Sequence, residues 1–508
     1  MTPTAIISIV TFLPLAGGII LLALPRGAEN AVRRWALFVT VLEFFAAAHI
    51  AFMPGHHFSM SGWAMEENYA WISTPAIRYH VVLDGISLWL VILTAFLTPL
   101  CVLISWRSVH DRVKEFFFLL LVLETALTGV FVAFDLFLFY FFWEATLIPM
   151  ALLIGMYGHG RRIYASVKFF LYTAVASVFM LVAILWLYAH TGSFDFTVIQ
   201  PWLRSHPEVA AGNAGLWLFL GFFIAFAVKV PIFPLHTWLP DAHVEAPTAG
   251  SVLLAGVLLK MGTYGLLRFC VGLFPEAARA QAGWINVLAI IGIIYGALVA
   301  MVQPSLKKLV AYSSVSHLGF VVLGIFTFTA AGTAGAVYQM LNHGVSTGAL
   351  FILVGMLYER RHTFEISEFG GLASRMPVYA AFFVFITLSS IGLPLLNGFV
   401  GEFLVLSGAF RDRAIYGILG ASGVIWSACY MLWMVQRVFY GENRNPANAL
   451  LPDASAREKL TLWPLSAMAL IMGVAPMIWL SSINPPVEQI LKNVAPASHM
   501  AYVAGGQK

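Results

Sequence analysis

The sequence predicts an all-α polytopic membrane protein of about 14 transmembrane helices, with two inverted five-helix repeats and two broken helices. Composition comes first: 60% of the 508 residues are hydrophobic and 10% charged, where soluble domains carry roughly 25% charged residues. Mean hydropathy is +0.86. Second, apolar runs near the ~20 residues a helix needs to cross a bilayer recur along the whole chain. They are too long for barrel strands, and helices satisfy their own backbone hydrogen bonds in lipid. Third, the longest polar stretches, 54–83, 191–213 and 440–460, are short enough to be loops, so no soluble domain is expected.

Spans one to three are expected at 4–24, 32–53 and 84–106. The first has no basic leader and no small-residue cleavage site, so it reads as a retained helix and not a signal peptide. Spans four to eight follow at 114–133, 136–157, 164–190, 214–236 and 248–272, and spans nine to thirteen at 283–302, 308–328, 333–358, 377–410 and 415–439. The fourteenth is placed at 461–482. Two spans carry prolines where a continuous helix should not, in Ala227-Val-Lys-Val-Pro-Ile-Phe-Pro234 and Ile391-Gly-Leu-Pro-Leu-Leu-Asn-Gly398. Such breaks are tolerated in membranes where the freed backbone lines a protein cavity.

Alternate loops differ in charge. Eighteen of the 28 Lys and Arg residues fall on the side of the loop between spans one and two, eight on the other, and Lys229 and Lys260 within the membrane. The positive-inside rule then puts both termini on the outer face, which for a bacterial inner membrane is the periplasm. The net charge of +4 is spread as topology signals and implies no nucleic-acid partner.

Six ionisable residues stand near the middles of apolar spans: Glu144, Lys229, Lys260, His317, His343 and Glu402. Each charge at the bilayer centre costs at least ~2.5–3.5 kcal/mol, so a series of them implies a hydrated path enclosed by protein. Lys229 precedes the Val230-Pro231 break, where backbone and water can stabilise an ammonium, and Glu144 is its expected partner. Desolvation disfavours the ammonium and a nearby carboxylate favours it, so opening or closing the pair would release or take up a proton. Lys260 reads as a relay between neutral and charged forms, and His317 and His343 can pass protons through either ring nitrogen. Glu402 fits a terminal donor or acceptor. Glu43, Glu124 and Asp135 are further acids whose roles stay open between local pairing, interface marking and function.

The separations Glu144 to Lys229 and His317 to Glu402 are both 85 residues. The shift between the pairs moves five spans along, an odd step, so the second unit would be inverted. The division expected within one membrane domain is 1–110 for helices 1–3, 111–275 for the first five-helix repeat, 276–440 for the second, and 441–508 for helix 14 and the tail.

Cys101, Cys270 and Cys429 lie in three different spans with no C-x-x-C spacing, so no metal or iron–sulfur site is expected. The segment Leu235–Pro247 holds His236, Asp241, His243 and Glu245 without a recognised ligand spacing, so gating or helix capping is expected there. No phosphate-binding glycine motif or dinucleotide fingerprint is present, and no cofactor site is expected in this chain.

Three stretches together are specific: Phe233-Pro-Leu-His-Thr-Trp-Leu-Pro-Asp-Ala-His-Val-Glu-Ala-Pro-Thr248 running on to Lys260, Asp84-Gly-Ile-Ser87, and Ser305-Leu-Lys-Lys-Leu-Val-Ala-Tyr-Ser-Ser-Val-Ser-His317. Over spans 3 to 13 the chain resembles the antiporter-like membrane subunits of respiratory complex I, the NADH-quinone oxidoreductase. The resemblance implies a Lys-Glu pair at Lys229 and Glu144, a bridging Lys260, a terminal charge at Glu402, and His317 and His343 between them on a hydrated axis. A terminal glutamate and no room for a long C-terminal lateral helix resemble the M-like branch. By that resemblance the chain is a proton-translocating subunit without a redox centre. It would be flanked by L-like and N-like subunits, with NADH, FMN, iron–sulfur clusters and quinone held by partner subunits. The alternatives are a subunit of a multisubunit cation/proton antiporter and a structural scaffold of a hydrogenase-like membrane complex.

Overall fold

The computed structural model describes residues 5–25, 27–53, 65–443 and 445–494. Arg26, Arg444 and Lys508 of the charge count, the polar stretch 54–64 and the tail from 495 lie outside the described residues. Among the described residues eleven helices are long and apolar enough to cross a membrane, and a twelfth span is a bent pair. With two shorter apolar helices, Asn213–Lys229 and Pro377–Ser390, these account for the fourteen expected spans. The chain is a multi-pass membrane protein.

At one edge α1 (Ile6–Ala23) and α2 (Glu29–Ala51) pack together, with Trp35 Nε1 donating to the Gly17 carbonyl at 2.8 Å. Part of the expected loop 54–83 is instead an antiparallel hairpin, β1 (Met65–Ile72) with β2 (Ile77–Leu83), Met65 opposite Leu83. The run Ile77-Arg-Tyr-His-Val-Val-Leu83 is rich in β-branched and aromatic residues, and its inner end is buried against the bundle, so tertiary packing supports strands too short to stand alone.

Helix α3 (Ser87–Ser108) is almost wholly buried, and α4 (Val113–Val132) packs on it. The fifth span divides at Thr146 into α5 (Leu136–Ala145) and α6 (Leu147–Tyr157), and α7 (Arg162–Thr191) lies outside with many apolar side chains exposed. The loop 191–213 folds into α8 (Phe196–Ser205) and α9 (Pro207–Ala210). Helix α10 (Asn213–Lys229) stops at Pro231, and α11 (Trp238–Glu245) carries the segment expected to be a loop. The eighth span, fully buried, comprises α12 (Thr248–Leu253), a π-helical turn Leu254–Leu258, α13 (Leu259–Gly265) and a second π-helical turn Leu266–Val271.

Next α14 (Pro275–Met301) packs on α15 (Leu306–Phe326), and the 32-residue α16 (Ala330–Arg361) runs through the buried centre. The broken twelfth span is α17 (Pro377–Ser390) and α18 (Asn397–Asp412), and α19 (Ala414–Phe439) lies at the periphery. The fourteenth span needs correction. It is α20 (Ala456–Val474), opened by a Ser455/Glu458 capping box, and the chain bends by 66° before α21 (Met477–Val494). Pro476 cannot continue the ladder of α20, so the run 461–482 is no single helix. Trp89 Nε1 donates to Ser482 Oγ at 2.6 Å and the Trp89 and Trp479 rings lie 5.6 Å apart, which seats α21 against α3.

One backbone corner occurs twice. Leu136 N donates to Phe194 O (2.8 Å) and Phe196 N to Phe134 O (3.0 Å). A shift of 170 residues reproduces the motif: Leu306 N donates to Phe364 O (2.8 Å) and Ile366 N to Pro304 O (2.8 Å). Each pair brackets an isolated antiparallel bridge, Asp135 with Asp195 and Ser305 with Glu365.

Candidate functional site

Four of the six expected residues meet in a buried seam between α13, α15, α16 and α18. Lys260 Nζ lies 2.5 Å from His343 Nδ1 and also donates to the Ala255 carbonyl. That carbonyl belongs to the π-helical turn before α13, five residues back, and such turns recur at functional sites. An ammonium only donates, so His343 Nδ1 is the acceptor and its proton sits on Nε2. His317 stands with its ring centre 5.9 Å from that of His343. Its Nδ1 lies 3.0 Å from Glu402 Oε1, so it donates there, leaving Nε2 to accept. A small polar cavity, about large enough for one water, is lined by both histidines together with Gln339, Asn342, Ser346 and Ser390.

The second helix break holds the end of the seam in place. Asn397 opens α18, donating from Nδ2 to Ser346 Oγ (3.1 Å) and accepting from Ser389 Oγ (2.5 Å). Gln339 Nε2 donates to Glu402 Oε1 at 3.1 Å. Gly392 adopts φ +76°, and a Cβ there would stand 3.2 Å from Glu402 Oε2, so this turn needs glycine both for its conformation and for room.

Glu144 and Lys229 are arranged differently. Glu144 sits beside the α5–α6 junction and Lys229 ends α10, where Trp238 Nε1 takes up the Val228 carbonyl freed by the break (2.9 Å). The expected ion pair is open: among the described residues Lys229 Nζ has no hydrogen-bond partner, and neither has Glu144 Oε1. The ammonium lies over the rings of Trp143 (5.4 Å) and Phe169 (5.3 Å). Desolvated cation–π contacts of this kind contribute ~2 kcal/mol, and the carbonyl end of α10 adds to them. Helix α10 meets α13 through Gly262, where a Cβ would come within 2.9 Å of the Phe226 carbonyl. The helices bearing Lys229 and Lys260 are thus in close contact, while the two ammonium groups are not joined by hydrogen bonds.

Of the other buried polar residues, Lys307 and Arg268 were not singled out from sequence, whereas His243, Glu43 and Glu124 were named there without a place in the path. His243 is completely buried on α11, stacked on Phe351 (4.5 Å), with neither ring nitrogen partnered among the described residues. Lys307 and Arg268, counted above as loop charges, are both buried. Lys307 donates to Val244 O (3.2 Å) and Ala246 O (2.6 Å), and Arg268 pairs with Asp84. Glu43 and Glu124 are also fully buried and face each other between α2 and α4. The signal available was depth: each lies within or one turn from an apolar run. At the start of the fifth span Asp135 caps α5, accepting from the N–H groups of Phe137 (2.9 Å) and Leu138 (3.1 Å). Burial raises its carboxyl to about 6.

Two family models cover most of the chain: NADH:quinone oxidoreductase/Mrp antiporter, TM, over residues 133–426, and NADH-ubiquinone oxidoreductase chain 4, amino terminus, over residues 36–130. The NADH-quinone oxidoreductase subunit M of Rhodobacter capsulatus is 45% identical over 499 residues, 96% of each chain. This chain belongs to the subunit M family of NADH-quinone oxidoreductase. A chain of respiratory complex I from Thermus thermophilus, solved with bound NADH, superposes with a TM-score of 0.86 at 33% identity, covering 96% of this chain and all of that one. A chain of the Mrp complex from Dietzia superposes at 0.81 with 20% identity, covering 97% of this chain and all of that one, a likeness of fold alone. Subunit M membership therefore decides between the complex I reading and the antiporter alternative.

Proposed function

We propose that Lys260, His343, His317 and Glu402 carry protons in this order, with Lys229 and Glu144 as an ion pair that opens and closes beside them. The chain is a proton-translocating, antiporter-like membrane subunit of NADH-quinone oxidoreductase. The observation that carries the relay reading is the matched donor and acceptor order. Lys260 gives a proton to His343 Nδ1 as His343 Nε2 releases one into the small cavity. His317 Nε2 takes it up and His317 Nδ1 passes one to Glu402. Each proton moved against 100 mV needs ~2.3 kcal/mol, which quinone reduction elsewhere in the assembly supplies.

In this reading the subunit performs no redox step; NADH, FMN, iron–sulfur clusters and quinone belong to partner subunits, and L-like and N-like subunits flank it. The repeated 170-residue corner supports two inverted units. Moving Lys307 and Arg268 out of the loop count leaves 17 basic residues against 7, a bias that supports both termini lying outside a bacterial inner membrane.

The test is proton pumping, quinone reduction and assembly measured together in the native complex with Lys260→Ala, Lys229→Ala and Glu144→Ala. Loss of pumping in assembled complexes is expected for each. Wild-type pumping by Lys260→Ala would end the relay reading and leave these charges as packing.

A further inference from the structure

Glu43 and Glu124 take no part in the relay, yet each stands near the middle of its span and is completely buried. They face each other where α2 packs on α4. None of their four carboxyl oxygens has a hydrogen-bond donor among the described residues. No cation compensates them either. Helix α1 carries no charged residue and α3 none before Arg107 near its end, while Arg33, nearer the start of α2, is committed to Glu29 and the Val109 carbonyl. Cys101 and Thr98 of α3 stand beside Glu124, but the Thr98 hydroxyl donates to the Thr94 carbonyl (2.9 Å).

Two carboxylates in contact, out of water and without a cation, cannot both be ionised. One proton between them turns the repulsion into a charge-assisted O–H···O bond. Thr128, one turn further along the same face of α4, is completely buried with its hydroxyl unpartnered, which leaves a free donor beside the charge that remains. The pair is set apart from the relay, because α3 turns Leu93 to Gly344 and Leu97 to Gly256, next to His343 and Ala255, and Thr98 to Glu124. On its far side α2 exposes Phe38, Leu42 and Phe45, so its seat depends on the face that carries Glu43.

We propose that Glu43 and Glu124 form a second proton-binding site, off the relay, which takes up one proton shared between the two carboxyls and with it clamps α2 to α4. Loss of that proton leaves like charges in contact and lets α2 part, so the clamp is complete at low pH and weakens as pH rises. Glutamine puts an amide N–H where the shared proton lies and keeps it there at every pH. Hydrogen exchange of residues 29–51, corrected for the intrinsic rate, is followed in the intact complex in nanodiscs from mildly acid to alkaline pH. Wild type should open more readily as pH rises, by up to about tenfold per pH unit for one proton. Glu43→Gln and Glu124→Gln should each be flat and pump like wild type. A flat wild type would overturn the proposal, as would a slope that survives in both variants or one near a hundredfold per pH unit, which means two protons. Lost pumping in an assembled Glu43→Gln complex would put the pair inside the relay and refute its separate role. Opening suppressed at fixed pH by sodium chloride and not by choline chloride would assign the oxygens to a metal cation instead. Should one variant fail to assemble, the other carries the comparison; should both fail, the wild-type slope and the two salts decide.

Discussion

Glu402→Gln separates packing from proton carriage. Glutamine keeps the size and planar end of glutamate, so its carbonyl oxygen can occupy the Oε1 position. There it still accepts from His317 Nδ1 (3.0 Å) and Gln339 Nε2 (3.1 Å). Two hydrogen bonds to a charged acceptor, ~1.5–3 kcal/mol each, become neutral ones at ~0.5–1.5 kcal/mol, a loss of about 2–3 kcal/mol in all. A large, well-packed subunit should absorb that and assemble. The amide, however, cannot accept the proton that the proposed relay passes on from His317. Pumping per quinone reduced is therefore expected to fall at least about tenfold, with complex yield near wild type. Glu402→Asp is the complementary variant: its carboxylate is withdrawn by about one C–C bond, roughly 1.5 Å, so the contact with His317 opens beyond hydrogen-bond reach and pumping should be impaired although the charge is kept. Pumping in membrane vesicles by a pH-sensitive dye, normalised to quinone reduction, reads both. Full pumping by Glu402→Gln would refute a protonable role for this residue.

Exchanging Glu144 and Lys229 for each other, as Glu144→Lys with Lys229→Glu, should not restore pumping, because it places a carboxylate at the carbonyl end of α10; recovery to the wild-type rate would show that only the pairing matters. Asp84→Asn keeps the cap at the start of α3 but leaves Arg268 buried without its partner, and should destabilise the subunit by about 3–5 kcal/mol. Adding Arg268→Met should recover most of the melting temperature, and equal losses in the single and double variants would contradict the assignment. Asp135 has its carboxyl raised to about 6 by burial, so the folded corner binds a proton more readily than the unfolded chain. Its protection in hydrogen exchange should thus rise as pH falls from 7 towards 5, and Asp135→Asn should flatten that dependence.

What could be read from the residues follows the range of the forces involved. Apolar runs and midplane charges are local in sequence, so the fourteen segments, the break after Lys229 and the Lys260, His317, His343 and Glu402 set could be identified directly. The hairpin 65–83 could not, because its strands owe their stability to the bundle they lie on. Helix α21 was concealed because apolar residues continue through the bend at Pro476. Lys307 and Arg268 looked like topology signals because each stands near a span end, where one turn of helix decides between water and core. The π-helical turns around Lys260 leave no signature in composition, and they turn the Ala255 carbonyl toward its ammonium. The repeat shows only weakly in residue identity and clearly in the paired backbone corners, since a corner needs a conformation and not a particular side chain.

The two helix breaks treat their charges in opposite ways. Lys229 precedes its break, in the last turn of α10, where the negative end of the helix dipole favours a cation. Glu402 follows its break, in the second turn of α18, beyond the reach of most of the N-terminal field, which fades within one turn. The equal 85-residue spacing thus pairs residues on opposite sides of their breaks. Lys229 is held by a diffuse field and two aromatic rings, neither of which fixes an ammonium to a point. Glu402 is held by two directed hydrogen bonds at 3.0 and 3.1 Å. A charge kept by diffuse forces can move between partners at low cost, whereas one held by directed bonds stays where its donor needs it. In the proposed relay this suits the Lys229 end to switching and the Glu402 end to receiving.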